Sequence, residues 1–205
     1  MGVRDEDTGN QFLGSRLREL RLNAGLSLRA LARALDISAS AVSQIETGAR
    51  VPSVNRLIAI VTALGVPLAA AFEAPGSIAV RSGETALTDA VPTNYVLTRA
   101  GTVPLTTLKG GVTYRRLTPG LMPGLDLFES TYPPGAMASA HGSLVRHDGH
   151  EVGSVESGEL SIEFETETVL LGPGDSITFP STRPHRLGNP SATTACVAVW
   201  LIVHP

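Results

Sequence analysis

The sequence predicts an α + β chain of two domains, five short helices over residues 10–73 and an all-β domain over 93–205. Three observations carry this. Apolar residues recur at helical spacing between Gln11 and Phe72, with a capping residue or a glycine at each break. After Ala74-Pro75-Gly76 the texture changes to short runs rich in Val, Thr, Leu and Tyr, punctuated by Pro and Gly. Charge divides the same way, with seven Arg against four acids from Asn10 to Glu73 and eight basic residues against twelve acids beyond. A mildly basic module on an acidic one fits a nucleic-acid contact in the first third and a different task in the rest.

Bulk composition narrows the classes further. The 205 residues are 42% hydrophobic and 17% charged, which excludes a disordered chain. A single cysteine, Cys196, excludes an intrachain disulfide and falls in the apolar run Ala195–Val203, where an inert, buried thiol is expected. Residues 1–9 read as a flexible acidic tail without the apolar core of a signal peptide. No apolar run approaches the ~18 residues of a membrane span. A cytoplasmic protein without a membrane contact is expected.

The helical elements follow in order. Phe12, Leu13, Leu17 and Leu20 make one stripe, stopped at Asn23-Ala24-Gly25. Ser27 caps a second helix carrying Leu28, Leu31, Ala32 and Leu35. After the break Asp36-Ile37-Ser38, Ser38 caps a third helix, Ala39–Thr47, closed by Gly48. Pro52-Ser53 opens a fourth, Val54–Leu64, stopped by Gly65, and Pro67–Phe72 adds a last turn.

Helices this short are marginal alone and must pack closely. Ala32 lets the second and third approach, Ile37 plugs the corner, and Val42 and Ile45 face inward. That leaves Ser38, Ala39, Ser40, Ser43 and Gln44 outward, short or amide side chains suited to base edges and phosphates. The segment from Leu17 to Val66 resembles the helix-turn-helix domain of phage-repressor and XRE-type regulators. The resemblance rests on Arg18, Arg21, Gly25, Ser27, Leu31, Ala32, Ser43, Glu46, Gly48, Pro52, Ser53 and Leu57. It implies that Ala39–Thr47 is the recognition helix, with Ser40, Ser43 and Gln44 toward the major groove and Arg29 and Arg50 near the DNA backbone. Glu46 is expected to partner an arginine within the domain. The plainer alternative is a helical bundle that binds another protein.

Beyond the linker, with a first strand expected within 74–92, strands are expected at Asn94–Thr98, Val112–Thr118, Leu125–Tyr132, Leu160–Phe164, Ser176–Phe179 and Cys196–Val203. Leu160, Ile162 and Phe164 alternate with Ser161, Glu163 and Glu165, the period of a half-buried strand with a solvated acidic face. Strands without intervening helices mean a sandwich or barrel.

Two segments there carry possible chemistry. His147 and Glu151 are four residues apart, and the turn signal Asp148-Gly149 folds the chain so that both side chains reach one point. A Gly-Asp turn, a strand and a proline-marked bend then lead to His185. The two segments resemble the paired motifs of the cupin superfamily of β-barrels, through His147, Glu151 and Gly158 in the first and Gly174, Pro180, His185 and Asn189 in the second. The resemblance implies a metal site of His147, Glu151 and His185. The chain departs from the family pattern at Val145, where a further histidine is usual, and at Thr182, often glycine. Two histidines and a carboxylate suit a divalent metal (Zn, Fe, Mn or Ni) with open coordination positions. The alternative is hydrogen bonding to water and an organic ligand, since cupin sensor domains often keep the fold without a firmly held metal. Tyr114 and Arg116, on one strand, are candidate lining for a ligand pocket and would favour an anionic effector. His150 and His141 are possible substitute ligands, and His204 is given no role.

Together the two resemblances imply a sequence-specific regulator that binds operator DNA as a homodimer and answers to a small-molecule effector. The second domain is also similar to the catalytic cupin of fosfomycin-forming epoxidases, which implies the alternative of a mononuclear non-haem iron oxygenase.

Overall fold

The computed structural model describes residues 3–73, 97–99, 103, 105–120, 122–138 and 143–204. Helices α1 Val3–Asn23, α2 Leu28–Ala34, α3 Ala39–Glu46 and α4 Val54–Leu64 precede a 3-10 turn, Leu68–Phe72. The fifth helix is therefore a single tight turn, buried at all five residues. Helix α1 starts at Val3, so residues 3–9, expected to be a flexible tail, are helical; no proline lies among them to break the turn.

Serines set the helix starts. Ser27, Ser38 and Ser53 each accept a hydrogen bond from the backbone N–H three residues on, at 3.1, 3.1 and 3.3 Å. Gly65, at φ +67°, closes α4 in the left-handed conformation. Gly14, inside α1, has a different purpose. A Cβ there would stand 2.6 Å from Ile45 O and 2.8 Å from Glu46 O, so only glycine lets α1 lie against the end of α3.

Every strand pairing among the described residues of the second domain is antiparallel. Its strands are β1 Thr106–Thr107, β2 Thr113–Arg116, β3 Leu125–Tyr132, β4 His150–Ser157, β5 Leu160–Phe164, β6 Thr168–Leu171, β7 Ser176–Pro180, β8 His185–Gly188 and β9 Cys196–Val203. They form a six-stranded sheet in the order β1-β2-β3-β9-β4-β7 and a three-stranded sheet β6-β5-β8. Alternate residues of β3 and β9 turn inward, among them Phe128, Tyr132, Ala198 and Trp200. Cys196 is fully buried and burial pushes its thiol up to about 11, an inert group as expected.

Three strand expectations, at 125–132, 160–164 and 196–203, coincide with observed strands, and those at 112–118 and 176–179 meet β2 and β7 with slightly different ends. Residues 97–99 are not strand, while 94–96 and the strand expected within 74–92 lie outside the described residues. The polar face of β5 is not uniformly solvated. β8 pairs along it, so Ser161 is buried and donates to Gly188 O at 3.1 Å, and Glu163 meets Arg186.

The helical domain sits directly on the barrel. Arg16, 1% exposed, donates within the helical domain to Glu73 at 2.7 Å, to Ala70 O at 2.9 Å and to Glu19 at 2.8 Å, and Glu73 also accepts from Arg116 of β2 at 3.4 Å. Asp126 of β3, equally buried, accepts from Ala69 N at 3.2 Å and stands 3.0 Å from His204 Nε2. His204 thus has a place in the junction that its position near the end of the chain did not suggest. At the other side Lys109 N donates to Pro52 O at 3.0 Å, and Asn55 Nδ2 donates to Ser143 O and Oγ at 3.2 and 3.0 Å. Among the described residues no helix is long and apolar enough to cross a membrane.

Candidate functional site

Two clusters of polar side chains stand out, one on the surface of the helical domain and one inside the barrel. On α3, Val42, Ile45 and Glu46 are buried, which turns Ser40 and Gln44 to solvent with Ala39 and Ser43 half-exposed beside them. Ser38 is exposed and its hydroxyl caps α3, and Arg29 and Arg50 are exposed at either side. The Asp36 turn that sets α3 against α2 uses φ +51°. Glu46 takes no part in this face. It receives Arg21 Nε and Nη2 at 2.6 and 2.8 Å, while Arg21 Nη1 reaches Leu26 O at 2.8 Å. The pair is closed, buried on both sides and structural, as its position predicted.

Inside the barrel, Gly149 (φ +107°) bends the chain between His147 and β4, and a Cβ there would strike Val203 O. Glu151 then enters on the inward face of β4, and His185 enters at the start of β8. The bend does what its sequence implied: His147 Nε2 lies 2.8 Å from Glu151 Oε1, and His185 Nε2 lies 3.1 Å from the same oxygen. One ligand atom from each residue lies within 4.8 Å of the other two.

The tautomers decide what this geometry means. His147 Nδ1 is 3.2 Å from Asp148 O and His185 Nδ1 is 2.8 Å from Arg183 O. A carbonyl only accepts, so in each neutral ring Nδ1 carries the proton and Nε2 is bare. Two bare nitrogens therefore face a carboxylate oxygen at which no N–H is aimed. Lone pairs converging in so dry a place are unfavourable unless a cation stands among them. A proton on one ring is one solution, and a divalent metal is the other. The carbonyls behind each Nδ1–H are also the outer-shell partners that orient metal-ligating histidines. Burial works to raise the Glu151 carboxyl, but once the rings carry protons on Nε2 their hydrogen bonds and charge outweigh it and hold the group down at about 2. Burial likewise works to lower His147, and Glu151 overcomes it and raises the ring above its ordinary value.

The triad opens on a cavity of about 50 Å³, room for a metal ion with one or two waters. Its barrel wall includes Tyr114, Val145 and Trp200, and its other wall is Val54, Asn55, Ile58 and Leu68 of the helical domain. Asn55 Oδ1 is buried there without a hydrogen-bond partner. Tyr114 lines the cavity as expected, and burial pushes its phenol up to about 12. Arg116 does not line it. It shares the strand face, but two residues along the strand (about 7 Å) carry it to the domain junction, where Glu73 takes it at 3.4 Å. His150 is exposed on the outer face of β4, away from the triad, and His141 lies outside the described residues. Asn189 is a backbone staple, its Nδ2 donating to Tyr132 O, Pro133 O and Thr194 O. The contribution of α4 to the cavity had no signal in the sequence, because α4 reads as an ordinary amphipathic helix.

Known proteins match both halves. Residues 13–72 fit the family model of a helix-turn-helix domain and residues 128–202 that of a cupin domain. The HTH-type transcriptional regulator PuuR of Escherichia coli K12 is 28% identical over 181 residues, covering 87% of this chain and 88% of its own. The regulator of the same name in Shigella flexneri matches equally. An HTH_3 family transcriptional regulator from Vibrio cholerae superposes with a TM-score of 0.66 over 98% of this chain and 99% of its own, at 19% identity. That last match bears on the fold alone.

Proposed function

We propose that this chain, with its helix-turn-helix and cupin domains and its similarity to an HTH-type transcriptional regulator, is a DNA-binding regulator whose barrel triad controls DNA affinity through α4. In this reading α3 enters the major groove with Ser40, Ser43 and Gln44 toward the bases and Ser38 and Ala39 at its leading end. Arg29 and Arg50 hold the backbone. A single such helix reads few base pairs, so the operator is bound by a homodimer with half-sites about one helical turn apart. His147, Glu151 and His185 hold a divalent metal, zinc, iron, manganese or nickel. Bound there, the metal would supply a Lewis-acid anchor for an anionic group of a small effector.

The observation that carries the regulatory part is the shared wall. Val54, Asn55 and Ile58 of α4 close the triad's cavity, and Arg56 on the same helix donates to Leu35 O, the C-cap of α2, at 2.9 Å. Leu35 leads directly into the turn that sets α3. A cavity of about 50 Å³ admits no organic effector unless a wall gives, and α4 is the wall that belongs to the DNA-reading domain. Occupancy and the placement of α3 are thereby coupled.

A second reading, a mononuclear iron oxygenase, draws on the same two-histidine, one-carboxylate donor set. The regulator reading is favoured because Arg29, Ser40, Gln44 and Arg50 remain exposed and outside any ion pair among the described residues. The test is a selection on random duplexes with the purified chain, followed by affinity measurements with and without added metal. The regulator reading expects an enriched two-half-site motif. It also expects the double replacement His147→Ala and His185→Ala to leave unliganded DNA binding intact and remove the metal response. No enriched motif together with iron-dependent oxygen uptake would favour the second reading.

A further inference from the structure

The cleft between the two domains holds an unbalanced set of charges. About 850 Å³ in volume, it runs from Ile37 and Ala41 at the recognition helix, along the loop Arg50–Ser53, to barrel residues Lys109 and Arg146. Arg50 and Arg56 come from the helical domain and Lys109 and Arg146 from the barrel; among the described residues no acidic side chain lines the cleft. Among the described residues none of the four has a carboxylate at ion-pair distance, although the barrel segment as a whole is acidic. Arg50, Lys109 and Arg146 are exposed. The barrel loops that carry the last two are tied to the start of α4, through Lys109 N to Pro52 O and Asn55 to Ser143.

We propose that Lys109 and Arg146 of the cupin domain form a second DNA-backbone contact, continuous with Arg50, so that the duplex is held by both domains. This rests on the regulator reading above. Four cations spread along one open cleft, three of them solvated, match phosphates spaced along a strand better than a single small anion, which is usually held in a buried pocket by converging donors. The cleft begins on α3 itself, so a backbone passing the recognition helix is led into it. The N-terminus of the eleven-residue α4, capped by Ser53, points its partial positive charge the same way. The cupin domain is then part of the DNA grip as well as the sensor.

The experiment measures the salt dependence of duplex affinity for the full chain, on a selected site and on an unrelated sequence. Lys109→Ala with Arg146→Ala should weaken both duplexes alike and flatten the log–log salt slope by about 0.9 for each lost contact. Base preference should stay unchanged, and the charge-keeping pair Lys109→Arg with Arg146→Lys should restore the slope. Thermal unfolding of each variant shows whether the fold is kept, and both side chains are exposed. An unchanged slope, while Gln44→Ala still alters base preference, overturns this proposal alone. Failure of the wild-type chain to bind any duplex overturns the regulator reading and this proposal with it. An equal flattening by Arg115→Ala, a cation paired to Glu129 on β3, overturns it by showing an effect of net charge only. If the double variant keeps its DNA slope but loses stabilisation by inorganic phosphate, the cleft is a small-anion site and the proposal falls.

Discussion

The helical domain and the barrel each bury a carboxylate with nitrogen partners, and the two clusters are built on opposite lines. Glu46 is met by two N–H groups of Arg21 at 2.6 and 2.8 Å, and the third arm of the guanidinium ends on Leu26 O. Each guanidinium nitrogen has an acceptor. Glu151 is met at similar distances by two ring nitrogens that in their neutral tautomers carry no proton toward it. The first cluster is complete as it stands, and the second is completed either by a proton on a ring or by a metal ion. Burial and distance do not distinguish the clusters; donor direction does. A closed pair fixes a fold, whereas a convergent set of lone pairs could hold a proton or a metal ion.

The comparison can be broken at several strengths. The largest effect belongs to Glu46→Ala. It leaves Arg21 buried and unpaired and should cost about 3–5 kcal/mol in denaturant unfolding. Glu151→Gln in metal-free protein should cost far less, and an equal cost would make the barrel cluster a structural pair like the other. Next in size is the metal itself. At free metal a hundredfold above its dissociation constant, the wild-type chain should gain about 2.7 kcal/mol of stability. The double replacement His147→Ala and His185→Ala should gain nothing, as read by thermal scans with zinc or nickel.

On the DNA side, Gln44→Ala should cost about 1–3 kcal/mol and relax base preference, read by competition between selected and altered duplexes. The smallest effect sharpens the barrel half. Val145 lines the cavity where a further ligand would sit, and its backbone N–H and C=O both pair with His185. Val145→His should therefore add a donor without moving the strand. A tenfold tighter metal affinity, about 1.4 kcal/mol, is the expected gain in a calorimetric titration.

Much of this was legible in the residues, and the boundary of legibility is physical. Helical period and serine caps are local properties, so α2, α3 and α4 could be drawn from Ser27, Ser38, Ser53 and Gly65 alone. The convergence of His147 and Glu151 was likewise readable, because a single Gly149 bend produces it. His185 could be joined to them only through the motif resemblance, since nothing local links β8 to β4. Contacts between domains left no trace. Arg116 was assigned to the pocket by its strand face, yet Glu73, 43 residues away, claims it. The wall that α4 gives to the cavity and the junction made by Asp126, Ala69 and His204 arise from the docking of two surfaces. Neither surface has a period or motif of its own.

In the proposed function the state of the barrel triad reaches the DNA-reading helix through α4. The most direct test of this coupling is the affinity of the full chain for a selected duplex, measured in chelator and again with saturating zinc or nickel. The affinity should change with metal in the wild-type chain and stay the same in the double replacement of His147 and His185 by alanine. Identical affinities in the two conditions for a wild-type chain shown to have bound the metal, or the same change in the double variant, would contradict it.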